Sequence, residues 1–167
     1  MVKTAIKDGK YRYLLTRSWN KQKKSVLFIM LNPSVADEKD EDPTLKRCVG
    51  FAKKEGFGSL SIVNLFAHIA SNFECLKVFK KVEVIGSKND KHIKDSIEKH
   101  RLIVAAWGVK DIIYNRNKEI LNRFFKDRKI YCLGVTNGGH PRHPLYLNKN
   151  TKLEEYKWDK KKFLKNS

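Results

Sequence analysis

The chain has little of what an exported or membrane-bound protein carries. Its three cysteines, Cys48, Cys75 and Cys132, are odd in number, far apart and free of any CxxC spacing. A disulfide framework or a thiolate metal centre is therefore not expected, and the thiols read as reduced core groups. Apolar runs are short, none approaching the roughly 20 residues that cross a bilayer. The opening stretch MVKTAIKDGK lacks the apolar segment of a secretory signal. These absences predict a cytoplasmic protein without membrane contact. Neither GxxxxGK[ST] nor GxGxxG occurs, so a glycine-rich phosphate loop is not expected.

Acid is also scarce. Eighteen Asp and Glu face 36 Lys and Arg, which leaves a net charge of +18. Such an excess points to a polyanionic partner, of which nucleic acid is the commonest. The competing reading is a lysine-rich surface that is merely solvated. With 167 residues, 41% of them hydrophobic, the chain is long enough for one domain with a core, spanning 1–167.

The stretch Val26 to Gly50 organises the rest. Val26–Leu31 is an unbroken apolar run, the pattern of a strand buried on both faces in a parallel sheet. Asn32-Pro33 ends it, because proline cannot continue a ladder and holds the residue before it extended. An acidic loop follows (Asp37, Glu38, Asp40, Glu41), and Asp42-Pro43 is a helix start, with Asp as N-cap and Pro in the first turn. The helix is expected to run to Lys54 and stop at Gly56.

Elsewhere, residues 2–7 and 10–17 around the turn Asp8-Gly9 read as an N-terminal hairpin at the sheet edge within the segment 1–20. Further buried strands are expected over 60–66, 102–108 and 129–134, and helices over 73–80, from Asn89 or Asp90 to about His100, and over 112–126. The lysine-rich tail 151–167 fits a terminal helix. Strand and helix alternate four times, which predicts an α/β fold: a three-layer αβα sandwich on a four-stranded parallel core sheet, with the N-terminal strand pair at its edge. Ligands of such sheets bind at the carboxyl ends of the strands. Asn32, Asn64, Trp107 and His140 or His143 fall at successive strand ends.

The strings LNPS (31–34), VNL (63–65), AWG (106–108) and HPL (143–145) resemble, in order, motifs of the uracil-DNA glycosylase superfamily. The fuller set LNPS, DPT, NLFA, AWG and PRHPLYL resembles a bacterial and phage family known only as a domain of unknown function. The superfamily resemblance implies a base-flipping enzyme that hydrolyses an N-glycosidic bond in DNA without a cofactor. It implies Asn32 in place of the water-activating aspartate, Asn64 on the base edge, Trp107 at a structural strand end, and His143 in a loop that enters the minor groove behind an apolar wedge.

The chemistry of the reaction suggests roles beside that resemblance. Cleavage needs a group that places water under C1′, donors for the departing base anion, and a means of extracting the base from the stack. Asn32 is the water-positioning candidate, with Asp37 or Asp42 as a carboxylate on the following loop. Asn64 and His143 are candidates for the base edge. Phe66 or Trp107 would stack on it. Leu145 would be the wedge, with Ser34, His140, Arg142 and nearby lysines on the DNA backbone. Each has a plainer reading: Asn32 as a turn residue, Asn64 as a strand tie, Phe66 and Trp107 as core. The acidic loop reads first as solvated, with a hard-metal site as the lesser alternative, and no metal is assigned. The first motif lacks a strong carboxylate and an arginine precedes the histidine, so a modified pyrimidine is as good a candidate as uracil. A monomer on single-stranded or modified DNA is the expected state. The alternatives are a non-catalytic module that binds nucleic acid, and an enzyme acting on a free nucleotide or nucleoside.

Overall fold

In the computed structural model, residues 1–34, 42–108 and 112–158 are described. Asp37, Glu38, Asp40 and Glu41 lie outside the described residues. The architecture is mixed α/β around a seven-stranded sheet of order β1-β2-β4-β3-β5-β6-β7. The strands are β1 Val2–Asp8, β2 Tyr11–Ser18, β3 Ser25–Met30, β4 Ser59–Asn64, β5 Leu102–Ala105, β6 Tyr131–Cys132 and β7 Glu154–Glu155. β3 pairs in parallel with β4 on one side and β5 on the other, and β6 is parallel to β5. β2 runs antiparallel to β1 and β4, and β7 antiparallel to β6, so the sheet is mixed rather than purely parallel.

β3 is apolar from Val26 onward because both of its faces are covered. Leu27, Ile29 and Leu31 join one core cluster, and Val26, Phe28 and Met30 join a second. Period-2 alternation places these sets on opposite faces of the sheet. α1 (Pro43–Lys54) covers the second face with Leu45, Cys48, Val49 and Ala52. Val84 of α2 (Lys81–Ile85), Ile93 and Ile97 of α3 (Asn89–Lys99), and Ile120 and Leu121 of α4 (Arg116–Phe124) cover the first. Among the described residues no helix is long and apolar enough to cross a membrane.

Three local expectations are corrected. The helix expected over 73–80 is a 3-10 helix, Phe73–Val78, capped by the Asn72 side chain on Glu74 N at 3.0 Å, and α2 follows it in a stretch for which no element was expected. The helix expected over 112–126 starts only at Arg116, because Tyr114 and Asn115 take positive φ of 60° and 49°, a left-handed conformation that no L-residue helix sustains. The tail is not helical where it is described. Leu153 packs on one core and Tyr156 on the other, three residues apart, as an extended segment allows and a helix, with both on one side, does not. β7 therefore closes the β6 edge.

Candidate functional site

The site begins at the tips of β3 and β4. Met30 is the register partner of Asn64, and the parallel pairing continues as Leu65 N donates to Met30 O at 2.8 Å and Phe66 N to Leu31 O at 3.0 Å. Asn32 therefore emerges two residues beyond the level of Asn64. Its Nδ2 donates to Pro33 O (3.1 Å) and to Ala70 O (2.9 Å), while Ala70 N donates back to Pro33 O at 3.0 Å. With both amide hydrogens held by backbone, the side chain offers its Oδ1 as a fixed acceptor.

α1 supplies the next wall. Asp42 caps it through Oδ1 on Leu45 N at 2.6 Å, and its Oδ2 accepts from Ser34 Oγ at 2.6 Å. The expected N-cap is thus also a carboxylate in the pocket lining, with Ser34 as its partner.

β2 contributes a residue that sequence reasoning missed. Between Ile6↔Leu14 and Lys7↔Arg12 the register shifts, so Tyr13 is an extra residue in β2. Strict alternation would put Arg12 and Leu15 on opposite faces; the bulge lets both line the same pocket on the α1 side. Arg12 is only 6% exposed, its backbone N donating to Ala67 O at 2.9 Å. Together Arg12, Asn32, Ser34, Asp42, Asn64 and His143 line a polar pocket of about 130 Å³, with Leu15, Met30 and Ile62 in its wall.

A larger cleft of about 550 Å³ adjoins it and shares Asn32, Ser71 and His143. Trp107, Arg142, Leu145 and Tyr146 line it as well. The segment carrying His143 is held from both sides. Gly108, at φ +80°, donates its N–H to Pro141 O at 3.0 Å, and a Cβ there would come within 3.2 Å of His143 Cβ. Only glycine allows this approach without strain. Arg142 N donates to Gly134 O, and Tyr156 Oη donates to Gly139 O at 2.9 Å. Burial, with Cys132 nearby, pushes the Tyr156 hydroxyl up to about 12, so it stays protonated and keeps donating. His143 Nδ1 accepts from Leu145 N at 3.3 Å, which places the ring hydrogen of the neutral form on Nε2.

Of the residues singled out from sequence, Asn32, Asn64, Ser34 and His143 meet in the pocket, and Trp107, Arg142 and Leu145 in the cleft. Trp107 is 1% exposed, packs edge-on against Tyr156, and leaves its indole N–H without a partner among the described residues. Phe66 is fully buried against Phe73 and is not among the described residues lining either space. Nor is His140, which sits in the turn with Thr136. Asp37 lies outside the described residues. Arg12, Ser71 and Tyr146 are additions. Tyr146 is 87% exposed at the cleft mouth, with its ring 6.4 Å from that of His143, whereas Leu145 is half-buried. An aromatic directly after His-Pro-Leu was visible in the sequence; Arg12 depended on the bulge.

Behind β4 a second layer fixes Asn64. Asn89 Nδ2 donates to Asn64 O (3.0 Å) and Leu65 O (3.1 Å), and Arg116 Nε donates to Leu65 O at 3.0 Å. Arg116 is fully buried, paired with Asp90 and, at 3.0 Å, with Glu119; Arg123 joins Asp90 at 2.7 Å. Burial alone would raise the Asp90 carboxyl, but the two guanidiniums hold it below its ordinary value.

Cys75 is exposed rather than in the core, and the two buried thiols are poorly placed for chemistry. Burial raises Cys48 strongly and pushes Cys132 up to about 11, so neither supplies a thiolate near neutrality. Among the described residues no three His, Cys, Asp or Glu side chains converge as a metal site.

No curated protein and no solved structure matches this chain. A family model described as Protein of unknown function (DUF1643) matches residues 12–145, from the pocket arginine through the His-Pro-Leu segment, and the chain belongs to that family.

Proposed function

We propose that this protein is a DNA glycosylase-like enzyme that takes uracil or a modified pyrimidine out of DNA and hydrolyses its N-glycosidic bond. One observation carries the reading: two side-chain amides and an imidazole, from three separate segments, line one polar pocket at the carboxyl edge of parallel strands. The order β4-β3-β5-β6 of the mutually parallel strands, with helices on both faces, supports a uracil-DNA-glycosylase-like core.

In this reading a flipped base enters the pocket from the larger cleft. Asn64 donates to and accepts from its polar edge, and Asn32 Oδ1 accepts from the water that attacks C1′. The C1′–N bond breaks with its electron pair going to the base. His143, donating from Nε2 while neutral, stabilises the charge that grows on the base oxygen. As water adds to C1′ its proton passes to solvent, and the departed base anion takes one up from solvent, so no protein group gains or loses a proton over the reaction. Trp107, Arg142, Leu145 and Tyr146 line the path of the strand.

A second reading, a module that binds a base without turnover, is favoured by Asp42. Both of its carboxylate oxygens are already engaged, by Ser34 and by Leu45 N, which weakens it as a base.

The test is alkali cleavage of labelled single- and double-stranded oligonucleotides that carry uracil, hydroxymethyluracil or hydroxymethylcytosine. Abasic product with wild type, reduced at least about a hundredfold in Asn32→Ala and His143→Ala, is the expected result. Salt-sensitive binding with no abasic product on any substrate would move the assignment to the binding module. Undiminished cleavage by both variants would overturn the roles given to these residues.

A further inference from the structure

The positive charge of this protein is unevenly neutralised. Lys81, Lys88, Lys91 and Lys129 each lie within about 3 Å of a carboxylate: Glu119, Asp8, Asp95 and Glu155 respectively. On the outer face of α1 the situation differs. Lys46, Arg47 and Lys54, with Lys149 from the segment after the cleft, surround a notch of about 270 Å³ that has no acidic residue among its described lining. None of the three lysines is ion-paired among the described residues, and the Arg47 Nε–H, though buried, has no partner there. Lys46, Gly50 and Lys54 succeed one another at four-residue spacing, on one stripe of the helix. The middle position of the stripe is glycine and opens on the notch: a Cβ at Gly50 would meet nothing within 4 Å.

The notch is joined to the candidate site through Arg47. Its Nη2 donates to Leu147 O, the residue after the exposed Tyr146, and its guanidinium lies 5.2 Å over the Phe51 ring. Four cations that meet no carboxylate among the described residues converge on a concavity, which favours a doubly coordinated oxyanion over solvent, and the adjoining cleft supplies the strand that would carry one.

We propose that this notch binds a backbone phosphodiester of the DNA strand whose base enters the cleft, fixing the strand's register on α1. The proposal rests on DNA being the substrate, and adds a contact to which the pocket chemistry makes no reference.

Gly50 provides the test, since its backbone is ordinary helix and its side-chain direction is open. Gly50→Glu places a carboxylate among the cations; Gly50→Gln is the neutral control of the same length. Anisotropy of a fluorescein-labelled oligonucleotide bearing a single uracil, and of its hydroxymethyluracil and hydroxymethylcytosine counterparts, titrated from 50 to about 300 mM KCl, reads both affinity and salt slope. Each phosphate contact contributes about 0.9 to that slope on duplex DNA. Gly50→Glu is expected to bind at least about tenfold more weakly than Gly50→Gln at the lowest salt and to lose about one unit of slope, with Lys46→Ala shifting both in the same direction. Equal affinities and slopes for the two Gly50 variants, with wild type binding and cleaving, would overturn the notch and leave the glycosylase reading standing. Wild type that binds no oligonucleotide would overturn both. Binding by wild type without cleavage, again with Gly50→Glu selectively weakened, would support the notch while the catalytic reading falls.

Discussion

Asn32 and Ala70 are joined by a 2.9 Å hydrogen bond from the side-chain amide of one to the main-chain carbonyl of the other, across 38 residues of sequence. This bond, with the one to Pro33 O, fixes which end of the Asn32 amide faces the pocket. It makes the residue a tie between strand tip and loop as well as a candidate water holder.

Asn32→Asp separates those two duties. A carboxylate would set an acceptor against two carbonyl acceptors, costing about 2 kcal/mol of folding stability at neutral pH. That carboxyl would have a raised folded-state value, so the deficit should shrink as pH falls and grow as pH rises through it. Urea unfolding of the variant against wild type at pH 4 and pH 7.5 gives the answer. An equal deficit at both would show that the amide hydrogens contribute nothing at this position.

Asp90→Asn tests the layer behind Asn64. Removing the carboxylate leaves buried Arg116 with Glu119 alone, and a loss of about 2–3 kcal/mol is expected, under the range for a wholly unpaired buried charge. Because the Asp90 carboxyl is held below its ordinary value, its contribution is present above the unfolded-state value near 4 and is lost as pH falls through the lower folded-state one. Stability of the variant and wild type should therefore converge in acid. If the loss at pH 7 is under about 0.5 kcal/mol, the pair is not holding α4 to α3.

A separate acid sensitivity comes from His100. It is buried, with Nδ1 at 2.7 Å from Ser96 O, and burial lowers its value below the ordinary one; His92 is lowered in the same way. The unfolded chain then binds protons more readily than the folded one just below pH 6.5, so stability should fall as pH drops from about 7 to 5. Chemical denaturation across that window, in wild type and in His100→Gln, reads it: the variant's slope should be shallower. An identical slope would assign the effect to other groups.

The sequence by itself determined the parts whose signals are local. Six consecutive apolar residues from Val26 to Leu31 can be satisfied only by cover on both faces, and the core clusters on either side of β3 provide that cover. Asp42-Pro43 begins α1 because an aspartate cap and a proline in the first turn both act within one turn of chain. The hairpin at Asp8-Gly9 is equally local. Asn32 and Asn64 stood out as amides at or near the ends of buried strands, and His143 because Pro-Leu follows it.

Tertiary structure decided the rest, wherever an outcome depends on partners distant in sequence. The bulge opposite Ile6 and Lys7 is a matter of pairing register, and it alone carries Arg12 into the pocket. The tail becomes β7 rather than helix because β6 presents an open edge to it. Phe66 goes to the core and Tyr146 to the surface, although both are aromatics beside a motif residue, because burial is set by what packs opposite a side chain and not by its own chemistry.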